Sequence, residues 1–163
     1  MKIVFATDHA GFDLKEELVP FVRSLGYEVE DCGAHAYDEH DDYPDLIAPA
    51  ARMVHNDPDQ VRGIILGGSG QGEAMVANRF PHVRAVVYNG ESRGAVFSNI
   101  DEIALSREHN DANVLSLGAR FMTASEAKEA VKRWLAVPFS GVERHVRRIG
   151  KIEHAVDRLP VHP

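Results

Sequence analysis

Five strand-length runs, four of them mainly apolar, alternate along this chain with helix-length amphipathic stretches, and that alternation leaves few folds open to it. The runs lie at Lys2 to Thr7, Tyr27 to Asp31, Gly63 to Leu66, Arg84 to Tyr88 and Asn113 to Leu117. Each has the length of a strand and ends at a polar or glycine-containing turn. Strands joined by helices at this spacing run parallel, because a parallel connection has to cross the sheet, and the crossing helices cover both of its faces. The expected fold is α/β: one domain over residues 1–163, a three-layer α/β/α sandwich on a five-stranded parallel sheet with a C-terminal helix.

Periodicity places the helices. Leu14, Leu18, Phe21, Val22 and Leu25 recur at helical spacing after the turn Asp8-His9-Ala10-Gly11, with Gly26 as the stop. Pro20 inside that helix predicts a kink or an irregular turn. A second helix opens at Pro44, after the acidic loop Asp41-Asp42-Tyr43. Others are expected through Asn78, up to about Arg107, from Ser125 to Ala136 and from about Val142 to Leu159.

Composition narrows the function classes. With 163 residues and 44% hydrophobic content the chain can fill one core, and a second domain is not expected. Runs such as Ile64-Ile65-Leu66 are too short to cross a bilayer, and the N-terminus enters a strand pattern at once, so no secretion signal is read. A lone cysteine, Cys32, excludes a disulfide framework and a multi-thiolate metal site, and it suits a reducing, cytoplasmic setting. A formal net charge of -7 opposes long-range attraction to nucleic acid or an anionic membrane. Any anionic ligand is therefore small and locally held. The tail is an exception, with Arg144, His145, Arg147, Arg148 and Lys151 crowded together.

Ligands of open parallel sheets bind beyond the carboxyl ends of the strands. Asp8 and His9 follow the first strand, Gly67 to Glu73 the third, Asn89 the fourth, and Gly118 to Arg120 the fifth. The loop Gly67-Gly68-Ser69-Gly70-Gln71-Gly72 has four glycines in six residues, so several backbone N–H groups can converge there unobstructed by Cβ atoms. It reads as an anion nest. No Lys-Ser or Lys-Thr follows it, and the dinucleotide spacing is missing.

Several residues keep two readings at this level. Glu73 is either a helix-start acid favoured by the dipole or a base poised over a donor-rich pocket, where the N–H groups would stabilise an enediolate. His109, one of nine histidines, is either a surface residue or a proton carrier. Asp8 and His9 can form an Asx turn or belong to a site. In the tail, Val142, Val146, Ile149, Ile152, Val156 and Leu159 form an apolar stripe, with Arg144 and Arg148 one turn apart on another face. Those arginines are either a solvated basic face or a phosphate-binding pair. No metal-binding spacing appears, and Cys32 has no adjacent base and reads as a packed thiol.

Taken in order, Asp8-His9-Ala10-Gly11, Asp42-Tyr43-Pro44, Gly67 to Glu73 with Ala77-Asn78, Arg107-Glu108-His109-Asn110, Asn113 and Gly118-Ala119-Arg120 resemble the ribose-5-phosphate isomerase B family. Galactose-6-phosphate and allose-6-phosphate isomerases belong to the wider family. The resemblance runs to about Ile152. It implies a Rossmann-like sheet of order 2-1-3-5-4, no metal or organic cofactor, and a homodimer or tetramer with sites at the subunit interface. It implies reversible aldose–ketose isomerisation of a sugar phosphate, with ribose 5-phosphate to ribulose 5-phosphate the first choice. Hexose or tetrose phosphates are the alternatives, and a non-catalytic nucleotide- or metabolite-binding module is the rival class. By position, Glu73 matches the base and His109, assisted by Asp8, the ring-opening group. Ser69 with the amides of Gly68, Gly70, Gln71 and Gly72 matches the enediolate pocket, and Asn110 and Tyr43 match hydroxyl contacts. His9, Arg120, Arg144 and Arg148 match the phosphate set, the last two reaching across the dimer. One branch of the family uses a loop cysteine as its base; Gly68 stands there in this chain, which leaves the work to Glu73. The segment 89–103 is about ten residues longer than a usual crossover of this kind.

Overall fold

A computed structural model describes residues 1–90 and 101–155 of the chain. Strands β1 (Lys2–Thr7), β2 (Glu28–Asp31), β3 (Val61–Gly67), β4 (Ala85–Tyr88) and β5 (Val114–Gly118) form one parallel sheet in the order β2-β1-β3-β5-β4. This is the sheet order expected from the resemblance. Helices α1 (Phe12–Ser24), α2 (Tyr43–Asn56), α3 (Gln71–Ala77), α4 (Glu102–Asn110), α5 (Ala124–Ala136) and α6 (Glu143–Glu153) complete the elements.

The sheet has two buried faces because its central strands are apolar on both sides. Ile3, Phe5, Ile64, Leu66, Leu115 and Leu117 point into one core with residues of α1, α4 and α5. Their neighbours Val4, Ala6, Ile65 and Val114 point into a second core with α2 and Ala77 of α3. Alternate residues of a strand face opposite ways, so a continuous apolar run serves both layers. Each fully buried Ile or Leu contributes roughly 1.5–3 kcal/mol of apolar burial. Trp134 lies fully buried at the end of α5, with the guanidinium groups of Arg62 and Arg107 over its ring at 5.6 and 5.8 Å.

Several local details refine the sequence reading. Helix α1 continues past Pro20 to Ser24 without interruption. Pro20 and Glu16 are both exposed, so the carbonyl that the proline leaves unpaired is open to water. Helix α4 runs on past Arg107 to Asn110, which puts His109 and Asn110 in its last turn. Asp101 caps its start by accepting from the Ala104 N–H. Of the extended 89–103 segment, residues 91–100 lie outside the described residues, as do Val156 and Leu159 of the expected tail stripe. Within α6 only His145 is buried, while Val146, Ile152 and the capping residue Val142 are about half exposed. No helix among the described residues is long and apolar enough to cross a membrane.

Candidate active site

The carboxyl ends of β1, β3 and β5 deliver the first group of residues. Gly67 closes β3, Gly70 caps α3 in the left-handed conformation with φ of 73°, and Glu73 lies in the first helical turn. A side chain at position 70 would be strained by that φ, so glycine is required. Ser116, the lone hydroxyl within β5, donates to the Gly70 carbonyl at 2.7 Å and pins the loop to the sheet. The backbone N–H groups of Ala119 and Arg120 donate to the carbonyls of Gly67 and Gly68, fixing the loop's other side. The loop is therefore rigid before any ligand arrives.

Three of its glycines exist because other side chains occupy the space a Cβ would take. At Gly67 a Cβ would overlap the Glu73 carboxylate, at Gly68 it would press on the Arg120 guanidinium, and at Gly72 it would meet the Tyr43 ring at 2.8 Å. The glycines thus bring carboxylate, cation and phenol to one stretch of backbone. Near the start of a helix the N–H groups lack intrahelical acceptors, so Gly72 and its neighbours can donate to a ligand oxygen. Gln71 is exposed at the head of α3, its N–H turned to the Ser69 hydroxyl at 3.4 Å.

Glu73 is 4% exposed. Burial raises its pKa above the ordinary carboxylate value; its own backbone N–H works against the rise and the nearby Asp8 charge adds to it. Such a group is a better proton acceptor than a solvated carboxylate, which suits removal of a proton from carbon. Asp8 is also buried and caps the turn after β1 by accepting from the Ala10 N–H at 3.0 Å. His9 Nδ1 bonds Asp41 Oδ1 at 2.7 Å, and this partner raises the pKa of His9. An imidazolium held in this way, near Arg120, suits an anion.

Asp41 was not singled out by sequence. The other oxygen of its carboxylate is buried and has no hydrogen-bond partner. Asp8, His9 and Asp41 offer atoms within 4.8 Å of one another, the spacing a cation would need. Two of those three residues already bond each other, and Asp8 serves as a cap, so the cluster holds His9 and the turn after β1 in place. Cys32 matches its reading as a packed thiol: it is half-buried beside Met53, and burial pushes its pKa up to about 11.

The remaining candidates lie at the opposite edge of the sheet. His109 and Asn110 end α4 just before β5 begins, and Arg84, which precedes β4, donates to the carbonyls of Asn110 and Asp111. His109 packs against His145 of α6 with ring centroids 4.3 Å apart, and Arg144 and Arg148 project from the same helix, both exposed. The sheet separates these groups from Glu73 by the length of a strand, roughly 15 Å. One copy of the chain therefore does not bring His109 to Asp8, so the assistance that the resemblance implies would have to come between copies. The reason is topological: α4 returns to the amino edge so that β5 can run parallel to β4.

Comparison with known proteins agrees with the fold. The ribose/galactose isomerase family model matches residues 3–152, and the chain belongs to that family. It is 38% identical over 149 residues to ribose-5-phosphate isomerase B of Mycolicibacterium paratuberculosis, covering 91% of this chain and 87% of the relative. The structure of ribose-5-phosphate isomerase B from Mycoplasma genitalium with bound ribulose-5-phosphate superimposes with a TM-score of 0.87 at 35% identity, over 97% of both chains. That of the Clostridium thermocellum enzyme gives 0.85 at 38% identity, over 97% of this chain and 99% of the other.

Proposed function

We propose that this chain interconverts ribose 5-phosphate and ribulose 5-phosphate, with Glu73 moving a proton between C2 and C1. The observation that carries this reading is the Glu73 carboxylate, buried against Gly67 at the mouth of a rigid glycine loop, with its pKa raised by burial. Support for the substrate comes from the relatives named ribose-5-phosphate isomerase B and from the neighbour with bound ribulose-5-phosphate.

Glu73 takes the C2 proton of the open-chain aldose, and the electron pair moves toward the carbonyl to give a cis-enediolate. N–H groups of Ser69, Gly70 and Gly72 and the Ser69 hydroxyl stabilise its developing oxyanion. The O2 proton passes to O1 as the charge shifts to O2, and protonation at C1 by the same carboxyl group then closes the C2 carbonyl, completes the ketose and restores the base. Tyr43 borders the loop and contacts sugar hydroxyls. The phosphate lies against His9 and Arg120. A second copy supplies His109 for ring opening, with Asp8 of the first copy beside it, and adds Asn110, Arg144 and Arg148. The half-exposed apolar side chains of α6 suit burial between copies, as a homodimer or a tetramer built from such dimers requires.

A nucleotide-binding module fits poorly, because a buried carboxylate beside the loop would repel a phosphate. Comparing kcat/KM for ribose 5-phosphate, galactose 6-phosphate, allose 6-phosphate and erythrose 4-phosphate tests the substrate. Ribose 5-phosphate is expected to lead, and a strong hexose preference would overturn the pentose assignment while leaving Glu73 in place. Calorimetry with nucleotides tests the rival class: tight binding without sugar-phosphate turnover would replace the isomerase reading.

A further inference from the structure

His145 is the one buried residue of α6, and its ring touches both His109 and Arg144 of the site above. It is 3% exposed, on a helix whose other described residues are exposed or half-exposed. Its Nδ1 lies 2.8 Å from Ser140 Oγ, and its Nε2 lies 3.1 Å from Nε of Arg144. Its ring packs on His109 at 4.3 Å between centroids, tilted by 41°. Ser140 is itself fixed, since its N–H donates to the Glu108 carbonyl at 3.2 Å, one residue before His109.

These contacts determine where the proton sits. The Nε of an arginine can only donate, so His145 Nε2 has to be bare and accept. The ring's proton is then on Nδ1, from which it donates to the Ser140 hydroxyl. Burial lowers the pKa of His145, and the neighbouring His109 and Arg144 lower it further against the Glu108 carbonyl, which raises it, so the neutral form fits its surroundings. A neutral ring is also the state that can accept from the Arg144 guanidinium.

We propose that His145 is a positioning residue that locks the ring-opening His109 and the phosphate-binding Arg144 into one unit, through its ring face and its bare Nε2, with Ser140 partnering its Nδ1–H. This rests on the roles given to His109 and Arg144 under the proposed function. Its consequence is geometric: one side chain sets the spacing between the group that opens the sugar ring and the group that holds the far end of the substrate. Arg144 is exposed, and a long, exposed side chain samples many rotamers unless something holds it. The bond to His145 Nε2 restricts the guanidinium before substrate binds.

Three variants and a double mutant test the proposal, with ribose 5-phosphate as substrate and folding checked by circular dichroism. His145→Phe keeps a flat ring against His109 but removes the acceptor for Arg144. It is expected to raise KM about tenfold, the scale of one charge-assisted hydrogen bond, with kcat within about twofold. Arg144→Met is expected to raise KM at least as far, and adding His145→Phe to it to raise KM no further, because the two act through one interaction. Ser140→Ala leaves the ring in place and removes the side-chain partner of Nδ1, and is expected to raise KM in the same direction by a smaller factor. Nitrogen chemical shifts of His145 give a readout that does not depend on activity: a protonated Nδ1 in the unaltered protein and a mixture of tautomers in Arg144→Met, where the donor to Nε2 is gone. An unchanged KM in His145→Phe beside a raised KM in Arg144→Met would overturn this proposal alone. An unchanged KM in Arg144→Met would sink the role of Arg144 itself, and this proposal with it. A proton found on Nε2 in the unaltered protein would overturn the geometry whatever the kinetics.

Discussion

The two edges of this sheet are built by opposite means. At the carboxyl edge the functional groups are held by backbone: glycines whose absent side chains make room for Glu73, Arg120 and Tyr43, and a loop tied to β5 through Ser116 and two amides. At the amino edge they sit on the last turn of α4 and on α6, where they are held by side-chain contacts such as those of His145. The first edge is acidic at its centre and buried. The second is basic and, in a single copy, open. Under the proposed roles, the difference teaches that the chemistry is divided: a base needs burial to raise its proton affinity, whereas cations that hold a substrate need reach. A parallel sheet keeps the two apart in one copy, and pairing of copies can bring them together.

The largest effect is expected at the buried edge. Glu73→Gln keeps the shape and removes the base, so kcat is expected to fall by about 10³-fold or more, within the range attributed to general bases. Exchange of the C2 proton with deuterated solvent measures the step directly, and wild-type exchange in this variant would remove Glu73 from its role.

The division between edges can itself be broken by mixing. Glu73→Gln and His109→Asn are each expected to be nearly inactive as pure preparations. If a site takes Glu73 from one copy and His109 from another, exchanging subunits between them creates one intact site in each mixed dimer. Activity is then expected to return to about a quarter of the unaltered level, since about half of randomly formed dimers are mixed. No recovery after verified subunit exchange would mean that both residues serve the same copy or that His109 is not in the site.

A smaller loss is expected from Gly67→Ala, because the added methyl overlaps the Glu73 carboxylate and shifts it. A displacement of about 1 Å can cost about 10²-fold, so kcat is expected to fall by that order. An unperturbed kcat would show that the carboxylate has room the structure does not display.

Two milder effects follow from the pKa shifts. Asp41 raises the pKa of His9, so the protonated ring persists to higher pH and loses its charge only as pH climbs through that raised value. Asp41→Asn is expected to move the alkaline rise of KM to lower pH and to raise KM several-fold near neutrality. An unmoved KM profile would separate His9 from the phosphate. For Glu73 the raised pKa means that the native state binds a proton more tightly than the unfolded chain does, so stability declines as pH rises from the ordinary carboxylate value through the raised one. Glu73→Gln is therefore expected to be more stable than the unaltered protein at neutral pH and to lose that advantage on acidification. Thermal unfolding across pH checks the sign.

Much of this architecture could be read from the residues. Apolar runs such as Ile64-Ile65-Leu66, bounded by turn residues, place the strands, and the rule about carboxyl ends places Asp8, the glycine loop and Arg120 at one edge. What escaped were residues whose roles depend on distant partners. Asp41 looked like one more acid in a polar loop until its bond to His9 was seen. Ser116 stands as the only hydroxyl in the Val114–Gly118 strand, which was a usable signal. His145 falls three residues after Val142 and four before Ile149, on the apolar stripe itself, and a polar residue there signals burial with partners. The separation of His109 from Asp8 was hidden because a motif shows which residues occur and leaves open which edge of a sheet each reaches.

Trp134, buried between Arg62 and Arg107, is the only tryptophan in the chain. Its place near the start of β3 and the last turn of α4 puts the chain's one indole fluorophore at the edge that carries His109, a strand's length from Glu73. Its emission is thus a local signal. Light from this residue reports on the edge that carries His109, and is largely blind to events in the glycine loop.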